Sequence, residues 1–187
     1  MVLITALLLA DDIGATLYGV LAAEIHELGH IFAMTLKQSK PQRINLRAFS
    51  IDIVDANRVR KDYNSDVFIL LAGPTLNVLF GVILYLLHGL LEVVWLRAFA
   101  NANLFLAIFN LLPIEQLDGG QIVYNLLLRK LSAKNAERVS FFVSFIVLFP
   151  LAILGFYILL LSKYNFSLLF FSVFLMCNLL KSKTWYY

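Results

Sequence analysis

Charge is what this sequence has least of. Only 14% of its 187 residues are Asp, Glu, Lys or Arg, where a soluble domain usually carries about 25%. So few ionisable side chains cannot furnish an ordinary water-facing surface, which argues against a soluble globular domain. Cysteine is nearly missing too: Cys177 stands alone, so no disulfide can form within the chain. A basic run dense enough to grip nucleic acid is also lacking. The net charge is +3, and the basic residues sit in short stretches between apolar runs, where they set membrane topology rather than bind phosphate. No apolar run closes on the small-residue cleavage site of a secretory signal, and the first ends at Asp11-Asp12.

What fills the space is apolar. Hydrophobic residues make up 61% of the chain and mean hydropathy is +0.83. Several runs reach the roughly 20 residues that cross a bilayer as a helix. The expected fold class is therefore an all-α polytopic membrane protein of about six membrane segments, with a small β hairpin between the second and third. Segment one, Val2 to Ala10, covers only about 15 Å as a helix and is a half-span or a partial helix. Segment two runs from Ile13 to Leu36, segment three from Val67 to Leu91, segment four from Val93 to Leu112, segment five from Val139 to Leu161 and segment six from Phe166 to Leu180. A short helix is expected over Gln121 to Leu131. Between segments two and three, Ile44-Asn45-Leu46-Arg47 and Ile51-Asp52-Ile53-Val54-Asp55 nearly alternate apolar with polar residues, the period of strands. The whole reads as one integral-membrane domain, residues 1–187, with a core of 1–131 and additional membrane helices over 139–180. Lys and Arg concentrate after segments two and four and at the tail, which predicts a multi-pass protein with both termini cytoplasmic.

Segment two carries Glu24, His26, Glu27 and His30 near its far end. Ionisable groups within a membrane helix are costly and mark function by default. In His26-Glu27-Leu28-Gly29-His30 the two histidines are four apart, on one helix face, so both imidazoles can reach one metal ion. Glu27 sits one position further round, where it can take a proton from an attacking water. A catalytic zinc site usually has three protein ligands, and His88, Glu24, Glu92, Glu115 and Asp118 are the remaining candidates. Asp118 stands in Leu117-Asp118-Gly119-Gly120, ahead of an apolar helical run. Spacing alone leaves two readings open for it, a ligand held at a helix start or a plain N-cap. Glu24 can line a water path or be a partnered buried acid, and His88 reads as interfacial. Tyr85, Trp95, Trp185, Tyr186 and Tyr187 read as interface anchors.

Three blocks in order make the chain resemble the site-2 protease family of intramembrane zinc metalloproteases. They are His26-Glu27-Leu28-Gly29-His30, then Ala72-Gly73-Pro74-Thr75-Leu76-Asn77, then Phe109-Asn110-Leu111-Leu112-Pro113-Ile114-Glu115-Gln116-Leu117-Asp118-Gly119-Gly120. The likeness covers residues 1–131 and is closest to the small stage IV sporulation FB-type branch. It implies one Zn2+ ion held by His26, His30 and Asp118, with Glu27 as general base and later proton donor. It implies that Asn110 holds the substrate backbone or the developing oxyanion, and leaves Asn77 either structural or substrate-facing. It implies cleavage in or near the transmembrane segment of membrane-protein substrates, in the lipid bilayer of a bacterial cell membrane, with no nucleic acid as partner and any regulatory membrane partners unknown. The edge of the hairpin near residues 43–56 is expected to pair with an unwound substrate. Two rivals stand beside this reading: a catalytically inactive membrane scaffold, and a membrane zinc transporter. A transporter wants polar ligands repeated along a path, whereas this sequence concentrates them.

Overall fold

Where no water is at hand, a backbone must satisfy its own polar groups, and helices do so within a single segment. The computed structural model of the chain describes residues 13–37, 44–47, 50–53, 63–162 and 167–181. Six helices dominate: α1 (Ile13–Leu36), α2 (Tyr63–Leu91), α3 (Val94–Asn110), α4 (Asp118–Leu127), α5 (Ala133–Ser162) and α6 (Ser167–Lys181). The expected segment Val2–Ala10 lies outside the described residues, as do Trp185, Tyr186 and Tyr187.

The expected fold class is corrected in its number of membrane-crossing helices. Among the described residues two helices rather than six are long and apolar enough to cross a membrane, α2 and α5. α3 has 17 residues and α6 has 15, short of the roughly 20 that a hydrocarbon core requires, and α1 carries Glu24 and Glu27 among its apolar residues. The only strand pairing among the described residues is an antiparallel ladder of Ile44–Arg47 with Ser50–Ile53, which no third strand joins. Two strands alone are marginal as independent structure.

The chain divides into two compact units, Met1–Leu111 and Leu112–Tyr187. In the first, α1, α2 and α3 each pack on the other two. The buried residues described in α1 are Gly19, Ala22, Ala23, His26, Gly29, His30 and Ala33, one stripe at helical spacing. Most of them are small, which lets backbones approach closely where lipid offers no hydrophobic drive to associate. The stripe on α2 is Ile69, Gly73, Pro74, Asn77, Gly81 and Leu84. On α3, Leu96, Ala100, Asn103, Ala107 and Asn110 form one line, and Ala102, Leu106 and Phe109 a second, so this helix is covered on two sides. Ala22, Ala23, Ala102 and Leu106 close an apolar cluster against Tyr18 and Phe99. The turn between α2 and α3 has Glu92 at φ 54°, a left-handed cap usually taken by glycine, and His88 Nδ1 lies 3.0 Å from the Val93 carbonyl beside it.

In the second unit, α5 buries Ala136, Ser140, Ser144, Leu148 and Gly155 in one line, and α6 buries Phe171, Ser172, Leu175 and Leu179. A side chain at Gly155 would come within 2.7 Å of the Leu169 backbone nitrogen, so that glycine sets how near the two helices lie. Segment five was expected from residue 139 and begins at 133 because Ala133-Lys134-Asn135-Ala136 continues the helix as a polar first turn.

Candidate metal centre

The two histidines of the first block are buried, at 1% and 8% exposure for His26 and His30. Their rings stand edge to face with centroids 4.7 Å apart, and their Nε2 atoms are 3.1 Å from one another. The other nitrogen of each ring is engaged elsewhere. His30 Nδ1 lies 2.8 Å from the Ile69 carbonyl oxygen, and His26 Nδ1 lies 2.8 Å from Asn77 Oδ1.

Those partners decide where the ring protons are. A carbonyl oxygen only accepts, so His30 Nδ1 carries its hydrogen and donates it. Asn77 Nδ2 donates to the Ala22 carbonyl at 2.9 Å and to Asn103 Oδ1 at 2.9 Å, which leaves Asn77 Oδ1 for His26 and makes His26 Nδ1 a donor as well. As neutral rings, both therefore turn the lone-pair side of Nε2 inward, each towards the other. Two lone pairs 3.1 Å apart repel unless a cation is shared between them. Tetrahedral zinc with bonds of about 2.0–2.1 Å holds two nitrogens about 3.3 Å apart. The pair fits such an ion within a few tenths of an ångström, with its second nitrogens already bonded outward as metal-bound histidines usually are.

Two glycines make this arrangement possible. A side chain at Gly73 would lie 2.5 Å from His30 Nε2 and 2.9 Å from His26 Cε1, so only a hydrogen fits beneath the rings. Gly29 faces the same crossing from α1, and a side chain there would meet the Ala72 carbonyl at 2.6 Å and Gly73 Cα at 2.9 Å. The Ala-Gly-Pro-x-x-Asn block thus serves the histidines twice over, by the bare backbone of Gly73 and by the carboxamide of Asn77.

Glu27 follows His26 on α1 and is half-buried, while Glu24 is exposed. Asn110 is the last residue of α3 and fully buried. Its Nδ2 donates to the Leu106 carbonyl at 3.1 Å, which uses one of two N–H groups, and its Oδ1 has no hydrogen-bond partner among the described residues.

Asp118 belongs to the second unit and is the first residue of α4. Leu117, extended at φ −104° and ψ 163°, takes the cap position with no side-chain cap bond, so Asp118 is not the N-cap that spacing allowed. The expected helix start at Gln121 moves back to Asp118, which puts the carboxylate in the first turn, the positive end of the helix dipole. The loop before it is fixed from several directions. Glu115 N donates to Ser144 Oγ at 2.9 Å and Gln121 Nε2 to the Glu115 carbonyl at 2.7 Å. Ile114 and Leu117 are buried, and a side chain at Gly120 would lie 2.0 Å from the Ile114 carbonyl oxygen.

Sequence reasoning singled out His26, Glu27 and His30, gave no role to Gly29, Gly73 or Asn103, and left Asn77 undecided. An asparagine within an apolar helix was the available signal for Asn77 and Asn103; the glycines give none without the crossing.

The profile of peptidase family M50 matches residues 88–151. Stage IV sporulation protein FB of Bacillus subtilis (strain 168) is 25% identical over 135 residues, 71% of this chain and 47% of that protein, so the chain spans about half the length of the curated relative it matches. The solved structure of the site-2 protease from Methanocaldococcus jannaschii has the same fold, with a TM-score of 0.66 at 21% identity, covering 91% of this chain and 79% of that one. Three ordered sequence blocks, a family match through the third of them and a shared fold support one assignment, to the site-2 proteases of peptidase family M50.

Proposed function

We propose that this protein is an intramembrane zinc metalloprotease that hydrolyses peptide bonds in or near the transmembrane segment of membrane-bound substrate proteins. The observation that carries the reading is the inward-facing pair of Nε2 atoms 3.1 Å apart on α1, each ring pinned from outside by its Nδ1. His26, His30 and Asp118 are the proposed ligands, each offering one ligand atom. Two imidazoles and a carboxylate suit zinc.

When bound, zinc supplies a Lewis acid that polarises the scissile carbonyl and makes water acidic enough to be deprotonated near neutral pH. Glu27, adjacent to His26, takes the proton of the attacking water and returns it to the leaving amine. Asn110 keeps one amide N–H beyond its bond to Leu106 and an Oδ1 without a partner among the described residues. A side chain offering one donor and one acceptor matches a substrate peptide group held extended, or an oxyanion at its donor end. The chain works in this reading as one multi-pass domain in the lipid bilayer of a bacterial cell membrane, with both termini cytoplasmic. Membrane proteins are its substrates and nucleic acid has no part.

The test is cleavage of a co-expressed membrane substrate together with zinc content of the purified protein. Glu27→Gln is expected to abolish cleavage while zinc stays bound. Asp118→Asn is expected to abolish cleavage with zinc weakened. Cleavage retained by Glu27→Gln overturns the mechanism.

A further inference from the structure

The buried polar residues of the first unit include one that neither the metal centre nor the apolar packing uses directly. Asn103 is fully buried in the middle of α3. Its Nδ2 donates to the Phe99 carbonyl at 2.9 Å, and its Oδ1 accepts from Asn77 Nδ2 at 2.9 Å. Asn77 in turn faces His26 Nδ1 at 2.8 Å.

We propose that Asn103 is a positioning residue for His26, acting through Asn77 by fixing which end of that carboxamide meets the imidazole. The proposal rests on the metal reading above and deepens it. A carboxamide can be turned end for end with little change of shape, so Asn77 alone does not decide whether it presents oxygen or nitrogen to the ring. The surroundings decide. The Phe99 and Ala22 carbonyl oxygens are backbone acceptors and cannot reverse. Phe99 takes the nitrogen end of Asn103, which leaves Asn103 Oδ1 towards Asn77. Asn103 Oδ1 and the Ala22 carbonyl are then two acceptors side by side, and only the NH2 end of Asn77 satisfies both. Asn77 Oδ1 must therefore face His26, the hydrogen must lie on His26 Nδ1, and the Nε2 lone pair must face inward. Turning Asn77 over would set its oxygen against two acceptors and its nitrogen against an N–H, leaving buried polar groups unpaired at about 1–3 kcal/mol each. His30 needs no such device, because the Ile69 carbonyl holds its Nδ1 directly.

The test uses the full chain in detergent micelles, with zinc affinity measured by chelator competition and histidine ring protons followed by nitrogen-15 NMR in the metal-free protein. Asn77→Leu is expected to weaken zinc binding by 10–100-fold, the usual cost of losing a partner that orients a ligand. Asn103→Leu is expected to weaken it by about tenfold. The double variant is expected to bind no more weakly than Asn77→Leu, because Asn103 acts only through Asn77. Asn103→Thr keeps the Phe99 carbonyl satisfied, since a threonine hydroxyl bonds the carbonyl four residues back, but is too short to reach Asn77. It serves where leucine disturbs folding and is expected to give the same loss.

In the spectra, the slowly exchanging Nδ1 proton of His26 is expected to shift and exchange faster in each Asn103 variant. That of His30 is expected to stay as in wild type. General disturbance of the three-helix unit moves both signals and overturns the proposal, as does a folded Asn103→Thr with wild-type affinity and an unmoved His26 signal. Losses in the double variant that multiply also overturn it. Wild-type protein that takes up no zinc sinks the metal reading instead, and the His26 proton still decides the relay.

Discussion

Buried polar residues are put to different uses in the two units of this chain. In the first, His26, Asn77, Asn103 and His30 bond to one another and to backbone carbonyls across three helices, with contacts 26, 39 and 51 residues apart in sequence. In the second, Ser140, Ser144 and Ser172 are buried along α5 and α6. Ser172 Oγ returns to the Leu169 carbonyl of its own helix at 2.9 Å, and Ser144 Oγ donates to the Ser140 carbonyl at 2.8 Å while accepting from Glu115 N in the loop before α4. The glycines divide in the same way. Gly73 makes room for two imidazoles, whereas Gly155 makes room for a neighbouring backbone. A residue type in a membrane helix thus carries no fixed meaning. What it faces decides whether it aims a side chain or closes a gap.

Substitutions can break that contrast or sharpen it. The largest effect is expected from His30→Ala, which removes a ligand and should leave purified protein without stoichiometric zinc by metal analysis and without cleavage. Gly73→Ala comes next. Its methyl group lies where the His30 ring is, so zinc affinity should fall at least tenfold in chelator competition, by analogy with loss of ligand-orienting groups. Gly155→Ala pushes α5 from the Leu169 backbone and should cost about 1–3 kcal/mol as overpacking in a reversible detergent unfolding assay, with zinc affinity unchanged. Equal loss of zinc binding in the two glycine variants would erase the distinction between the units. The smallest effect is expected from Ser172→Ala, about 0.6 kcal/mol or less in the same assay, typical of a single polar contact in a membrane bundle.

Much of the first unit was legible in the sequence. The limits of α1, Ile13 to Leu36, follow from Asp12 before it and Lys37 after it, and four-residue spacing puts His26 and His30 on one face whatever the rest of the chain does. The glycine contacts and the Asn77–Asn103 relay were not legible, because they exist only once α1, α2 and α3 have come together and no local pattern records that encounter. Counting spans from apolar runs overstated the membrane-crossing helices, since a run such as Phe166 to Leu180 has the composition of a span without its length. Asp118 was undecided because a carboxylate at a helix start has the same sequence signature as a cap and as a first-turn residue, and only the backbone of Leu117 separates the two.

The meeting of Gly29 with Ala72 and Gly73 leaves no slack between α1 and α2. The crossing therefore acts as a thickness gauge. A single added methyl group on either glycine must pry the helices apart or deflect the rings, and in either case it changes the gap that two nitrogens present to an ion. The spacing of the two inward nitrogens is written less in the histidines themselves than in two carbon atoms missing beside them. Any redesign that alters one of these glycines would have to reshape the facing helix in the same step.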